Sequence, residues 1–187
     1  MTSVLALLAT LAASPGIGTE HISLDGALIC ISNTLTSDQL DSLAVQYAAG
    51  QLGVNEEESV WQAYISGVVR CGQQSGWTSD QRSHIMSAFL SYVAIERIIR
   101  QMNEQTLSRA KLLRSMASLQ PADVLALEAP PFGEAPFTNL VRALEAEDVD
   151  MNGLIDRQFS NDDRSERFII LVMRASHYAQ AARQLGR

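Results

Sequence analysis

The sequence predicts a mainly all-α protein, a multi-helix bundle laid around one long central helix, and three observations carry that prediction. From Trp77 to Leu119 the chain contains no Gly and no Pro, so nothing in the stretch forces a helix to end. Within it, apolar residues recur at alternating spacings of three and four, the period of one helical face. Elsewhere, shorter stripes of the same period follow Ser, Thr or Asn residues of the kind that cap helix N-termini. Together these describe one helical domain over 1–187, with a linker at 129–136 ahead of a C-terminal helix–loop–helix at 137–187.

Taken in order, the first element is the apolar run Val4 to Ala13. It is too short to span a bilayer. No Lys or Arg precedes it and Pro15 follows Ala12-Ala13-Ser14, so a buried helix capped at Thr2 or Ser3 is favoured over a secretory leader, which stays open as the rival. Ser14-Pro15-Gly16-Ile17-Gly18 ends it in a turn, and Gly16-Ile17-Gly18 is only a fragment of a dinucleotide-binding pattern. Next, His21 to Leu24 and Ala27 to Ile31 are short apolar runs around Asp25-Gly26, the pattern of a short β-hairpin over 21–31. A helix from Leu24 to Asn33 is the alternative, and periodicity does not separate the two over so few residues.

Thr36-Ser37-Asp38-Gln39 opens a helix whose apolar face is Leu40, Leu43, Ala44 and Tyr47. Asn55 before Glu56-Glu57-Glu58 caps the next, with Trp61, Tyr64, Ile65 and Val68 inward. Thr78-Ser79-Asp80-Gln81 repeats the earlier start and opens the central stretch. Its seam is Ile85, Ala88, Tyr92, Ile95, Ile99 and Met102; Ser83, Ser87, Ser91 and Gln101 fall on the other side. Unbroken, this helix would be roughly 60 Å long, against a radius of gyration of about 16 Å for a compact chain of this size. The helix is therefore expected to break near Asn103-Glu104-Gln105-Thr106, where residues that prefer caps gather, or else to project into an assembly. Gln120-Pro121 starts a short helix to Ala129, Ala129 to Pro136 is the loop, Phe137 to Glu147 is helical, and Ser160 to Asp163 caps a last helix reaching Leu185.

Charge and cysteine usage narrow the function classes. Net charge is −7 across 187 residues, which argues against nucleic acid or an anionic membrane as the main partner. Lys111 is the sole lysine, so any P-loop or Schiff-base mechanism would rest on it alone. Cys30 and Cys71 lack CxxC spacing and read as buried thiols of a reducing compartment, with a disulfide between them as the alternative that no spacing supports. His21, His84 and His177 lie far apart, in no metal-binding spacing. No GxSxG or GxxxxGK[ST] occurs. Glu96 lies among apolar neighbours, where pairing with Arg100 one turn on would hold it.

Between the last two helices lies Asp148-Val149-Asp150-Met151-Asn152-Gly153-Leu154-Ile155-Asp156-Arg157-Gln158-Phe159. It resembles the calcium loop of the EF-hand family, in which oxygen ligands stand at loop positions one, three and five, a Gly at six, a carbonyl ligand at seven and often an acid at nine. The resemblance implies Ca²⁺ as cofactor, held by Asp148, Asp150, Asn152, the Leu154 carbonyl and Asp156. At position twelve Phe159 stands where the family has a bidentate Glu. The alternative is an Asn-Gly turn between helices with solvated acids. Arg97, Arg100, Lys111 and Arg114 would share one basic face if the central helix continued. That face would dock the acidic region Ala122 to Asp156 or a partner's carboxylates, or lie in solvent.

The expectation is a non-catalytic assembly subunit that docks other protein chains, as homo- or hetero-oligomer, through helical surfaces, for example in a viral particle or another large complex. A calcium-binding helical module and an enzyme with a site assembled from scattered residues are the alternatives.

Overall fold

A computed structural model describes residues 23–48, 58–102, 104–151, 154 and 163–186. Among them the chain is helical, with no strand. The helices are α1 (Leu24–Ser32), α2 (Ser37–Ala48), α3 (Glu58–Ser75), α4 (Ser79–Met102), α5 (Arg109–Ser118), α6 (Pro121–Ala126), α7 (Glu134–Glu145) and α8 (Asp163–Leu185). The expected N-terminal helix at Val4 to Ala13 and the Asn55 cap lie outside the described residues.

The all-α expectation holds, and the hairpin does not. Asp25-Gly26, read as a turn between strands, is instead the first turn of α1. The Ser23 hydroxyl accepts from the Gly26 N–H at 3.3 Å, and Asp25 sits where the helix dipole favours an anion. Ala27, Leu28 and Ile31 are buried, three- and four-residue spacings that only a helix brings to one side.

The two Thr-Ser-Asp-Gln starts form the same device. Thr36 N–H donates to Gln39 Oε1 at 2.9 Å and Gln39 N–H to Thr36 Oγ1 at 3.3 Å. Thr78 and Gln81 exchange the equivalent bonds at 2.9 and 3.2 Å. Each box satisfies two N–H groups that a helix start would leave unpaired.

The long glycine- and proline-free stretch breaks where expected. α4 ends at Met102, and α5 begins after Ser108, whose hydroxyl accepts from the Lys111 N–H at 3.3 Å. α4 is buried more widely than one seam requires. Besides Ile85, Ala88, Ile95 and Met102, it buries Phe89, Leu90, Ala94 and Ile98, because α2 and α8 both pack along it and α8 makes the most extensive contact. Ser91, placed by periodicity on the polar side, is fully buried, and its hydroxyl has no hydrogen-bond partner among the described residues.

Two apolar cores meet on this helix. The first half of α4 packs Ile85, Phe89 and Leu90 with α1, α2 and α3, where Tyr64 stacks on Phe89 at 5.5 Å. The second half packs Ile95, Ile98 and Met102 with α5, α7 and α8, through Leu112, Leu140, Leu171 and Val172. Each fully buried Leu or Ile contributes about 1.5–3 kcal/mol.

Two further expectations are corrected. Cys30 and Cys71 are not free thiols; they form a disulfide between α1 and α3. The loop expected at 129–136 is shorter, because α7 starts at Glu134 and takes Pro136 into its first turn, where a missing N–H costs nothing.

Candidate functional site

The loop after α7 is the only place where the sequence suggested a ligand set. Asp148 has φ +56°, a left-handed turn that Asp tolerates better than most residues. Its carbonyl accepts from Lys111 Nζ at 3.0 Å. Asp150 is tied by its own N–H to Thr106 Oγ1 at 2.9 Å, and Thr106 donates to Glu104 Oε1 at 3.3 Å. Val149, Met151 and Leu154 are buried in the core shared by α5, α7 and α8, which fixes the loop's path. Asn152, Asp156 and Phe159 lie outside the described residues. Among the described residues no cluster of three or more His, Cys, Asp or Glu could hold a metal ion.

The break between α4 and α5 divides the basic face. Lys111 and Arg114 turn to the acidic region, Lys111 at the Asp148 carbonyl and Arg114 bidentate on Glu147, Nη2 donating to Oε2 at 2.7 Å and Nε to Oε1 at 3.2 Å. The Arg114 hydrogen bond holds the Glu147 carboxyl below its usual range, and Glu147 in turn raises Arg114. Arg97 and Arg100 stay on α4 and share one carboxylate, Asp41 of α2, at 3.9 and 3.7 Å. Glu96 pairs with Arg109 at 2.9 Å in place of the expected Arg100, and Arg109 also lies over the Tyr92 ring at 3.8 Å.

Concave features among the described residues include a cleft and two grooves. A cleft of about 190 Å³ brings His84, Ser87, Glu128, His177 and Gln180 together, with His177 Nε2 at 3.4 Å from Glu128. Burial pushes the His177 imidazole below its ordinary value, Arg174 adds to that, and Glu128 opposes it. Sequence spacing gave no sign that His84 and His177 line one cleft, since that depends on the register of α4 against α8. A groove of about 340 Å³ between α1 and α4 is lined by Asp25, Leu28, Ile29, Ser32 and Tyr92. A smaller one of about 180 Å³ lies among α2, α4 and α8, with Val45, Ile98, Gln101 and Ile170 around Arg97. Ile29 and Val45, on the walls of these grooves, are 60% and 44% exposed, and Leu125 and Ile169 are exposed elsewhere.

No helix among the described residues is long and apolar enough to cross a membrane. No family model, curated protein or solved structure matches this chain.

Proposed function

We propose that the protein is a non-catalytic docking subunit that holds other protein chains against its helical surface. The observation that carries this reading is the position of its exposed aliphatic side chains. Scattered exposed apolar residues are ordinary, but Ile29 and Val45 each stand on the wall of a concave groove that also contains charge. An apolar wall with a charged rim is the anatomy of a protein interface. Such an interface suits an assembly subunit of a large complex, and the disulfide between α1 and α3 stiffens one of its walls.

The test is site-specific photo-crosslinking of the full chain in cells. A photoreactive residue is placed singly at Ile29, Val45, Leu125 and Ile169, with exposed Gln73 and Gln74 of α3 as controls. Discrete higher-mass adducts from the groove positions and none from the controls support docking. Silence at every apolar position, or equal labelling at the controls, would overturn it.

A further inference from the structure

We propose that the occupant of the small α2/α4/α8 groove is α1 of a second copy of this chain. The inference rests on the docking reading and names its partner. The groove, at about 180 Å³, falls below the roughly 300–1,000 Å³ of small-molecule sites and is the size of a recess for an aliphatic side chain. Its floor is Ile98, and Val45 and Ile170 form its sides. Its rim is cationic. Arg97 lines it, and Arg100, one helical turn along the same face, shares Asp41 with it. Neither contact is within hydrogen-bond distance, so among the described residues two guanidinium groups share the one Asp41 carboxylate at long range. Arg100 and Asp41 side chains are 61% and 60% exposed, and ion pairs that open to water hold little in place.

α1 carries the complement. Ile29 projects into solvent, and Asp25, four residues earlier on the same face of the helix, is exposed. Asp25 takes part in none of the salt bridges among the described residues. Side chains four apart on a helix are separated by about 5–6 Å at Cβ. Arg97 and Ile98 line the same recess, so a guanidinium group and the aliphatic surface are offered together within one small groove. Seating Ile29 in the recess therefore brings the Asp25 carboxylate to Arg97 and Arg100. Both halves of the contact lie on this one sequence, which is why a second copy is the occupant. The contact is heterologous, one patch meeting a different patch, so it propagates into a ring or a filament. The net charge of −7 opposes crowding of copies and keeps each contact weak and reversible.

The test is sedimentation of the full chain from about 1 μM to about 1 mM, the range that resolves weak association. Wild type is expected to shift to larger species as concentration rises. Asp25→Arg, the pair Arg97→Glu with Arg100→Glu, and Ile29→Ser are each expected to weaken association at least about tenfold. Combining Asp25→Arg with the two arginine reversals restores it, because the charges are exchanged across the same contact. Circular dichroism melts confirm folding; should the double arginine variant fold poorly, Arg100→Glu alone is paired with Asp25→Arg. Wild type monomeric throughout, association indifferent to all three changes, or a charge exchange that restores nothing would each overturn the proposal. A monomer that still crosslinks to a different protein through Val45 refutes the second copy and leaves docking standing. A monomer silent at every exposed apolar position refutes both.

Discussion

Reducing the Cys30–Cys71 bond should cost the protein a large part of its stability without unfolding it at room temperature. The bond joins residues 41 apart in sequence, and closing a loop of that length removes unfolded-chain entropy worth about 4 kcal/mol in the loop-closure account. For a domain of this size, each kcal/mol moves the melting midpoint by about 2–4 °C, so the expected drop is about 8–16 °C. Contacts around the bond should keep the reduced chain native. α1 remains anchored by Ala27, Leu28 and Ile31, and α3 by Tyr64 and Val68, all buried in the same core. The assay is a circular dichroism melt with and without a phosphine reductant, beside thiol titration of unfolded, unreduced protein. The paired variant Cys30→Ala with Cys71→Ala should melt near the reduced protein. Two reactive thiols in the unreduced chain would refute the bond itself. A bonded protein whose midpoint moves by less than about 2 °C on reduction would refute the loop-entropy reasoning.

Gly67→Ala should destabilise by about 1–3 kcal/mol, because a Cβ there would stand 2.2 Å from Thr34 Oγ1, which donates to the Ile31 carbonyl at 2.7 Å. Adding Thr34→Ala should recover part of that loss in a denaturant titration. Stability should fall with acidity through His177. Its folded pKa is lowered from 6.5, so the unfolded state takes up a proton first, and the contribution present above the unfolded value is lost as pH falls from about 6.5 toward the folded one. His177→Gln should flatten that part of a midpoint-against-pH curve; an unchanged slope would count against the assignment. Excess Ca²⁺ against EDTA should leave the midpoint unmoved, because Lys111 places a cation on the Asp148 carbonyl and Phe159 supplies no carboxylate. A rise of several degrees would show a ligand bound to the native state and refute this.

Among the described residues, helices were legible in the sequence where a cap and a period coincided. Thr36 with Gln39 and Thr78 with Gln81 each name a start, and the stripes behind them name the buried face. The α4–α5 break was legible because residues 103–106 prefer caps and because a helix of that length outruns a compact chain. Periodicity failed at Ser91, since a helix enclosed by α2 and α8 has little solvent side for a serine to occupy. It failed at Asp25-Gly26 for a different reason: two residues that favour a tight turn also suit a first helical turn behind a serine cap. The disulfide and the His84–His177 cleft were not legible, because both depend on how two distant helices sit against each other. No local pattern encodes that register.

The basic face shows how the architecture assigns charge. As one continuous helix, Arg97, Arg100, Lys111 and Arg114 would form a single stripe, equally suited to an internal or an external carboxylate. The break after Met102 turns the last two toward Glu147 and Asp148, where Arg114 gains a bidentate partner. Saturated in this way, that pair has little left to offer another chain. Among the described residues the first two share the Asp41 carboxylate beyond hydrogen-bond reach, beside an aliphatic recess of about 180 Å³. The proposed contact would bring a carboxylate and an aliphatic side chain to that place together, since Asp25 and Ile29 stand one helical turn apart and exposed on α1.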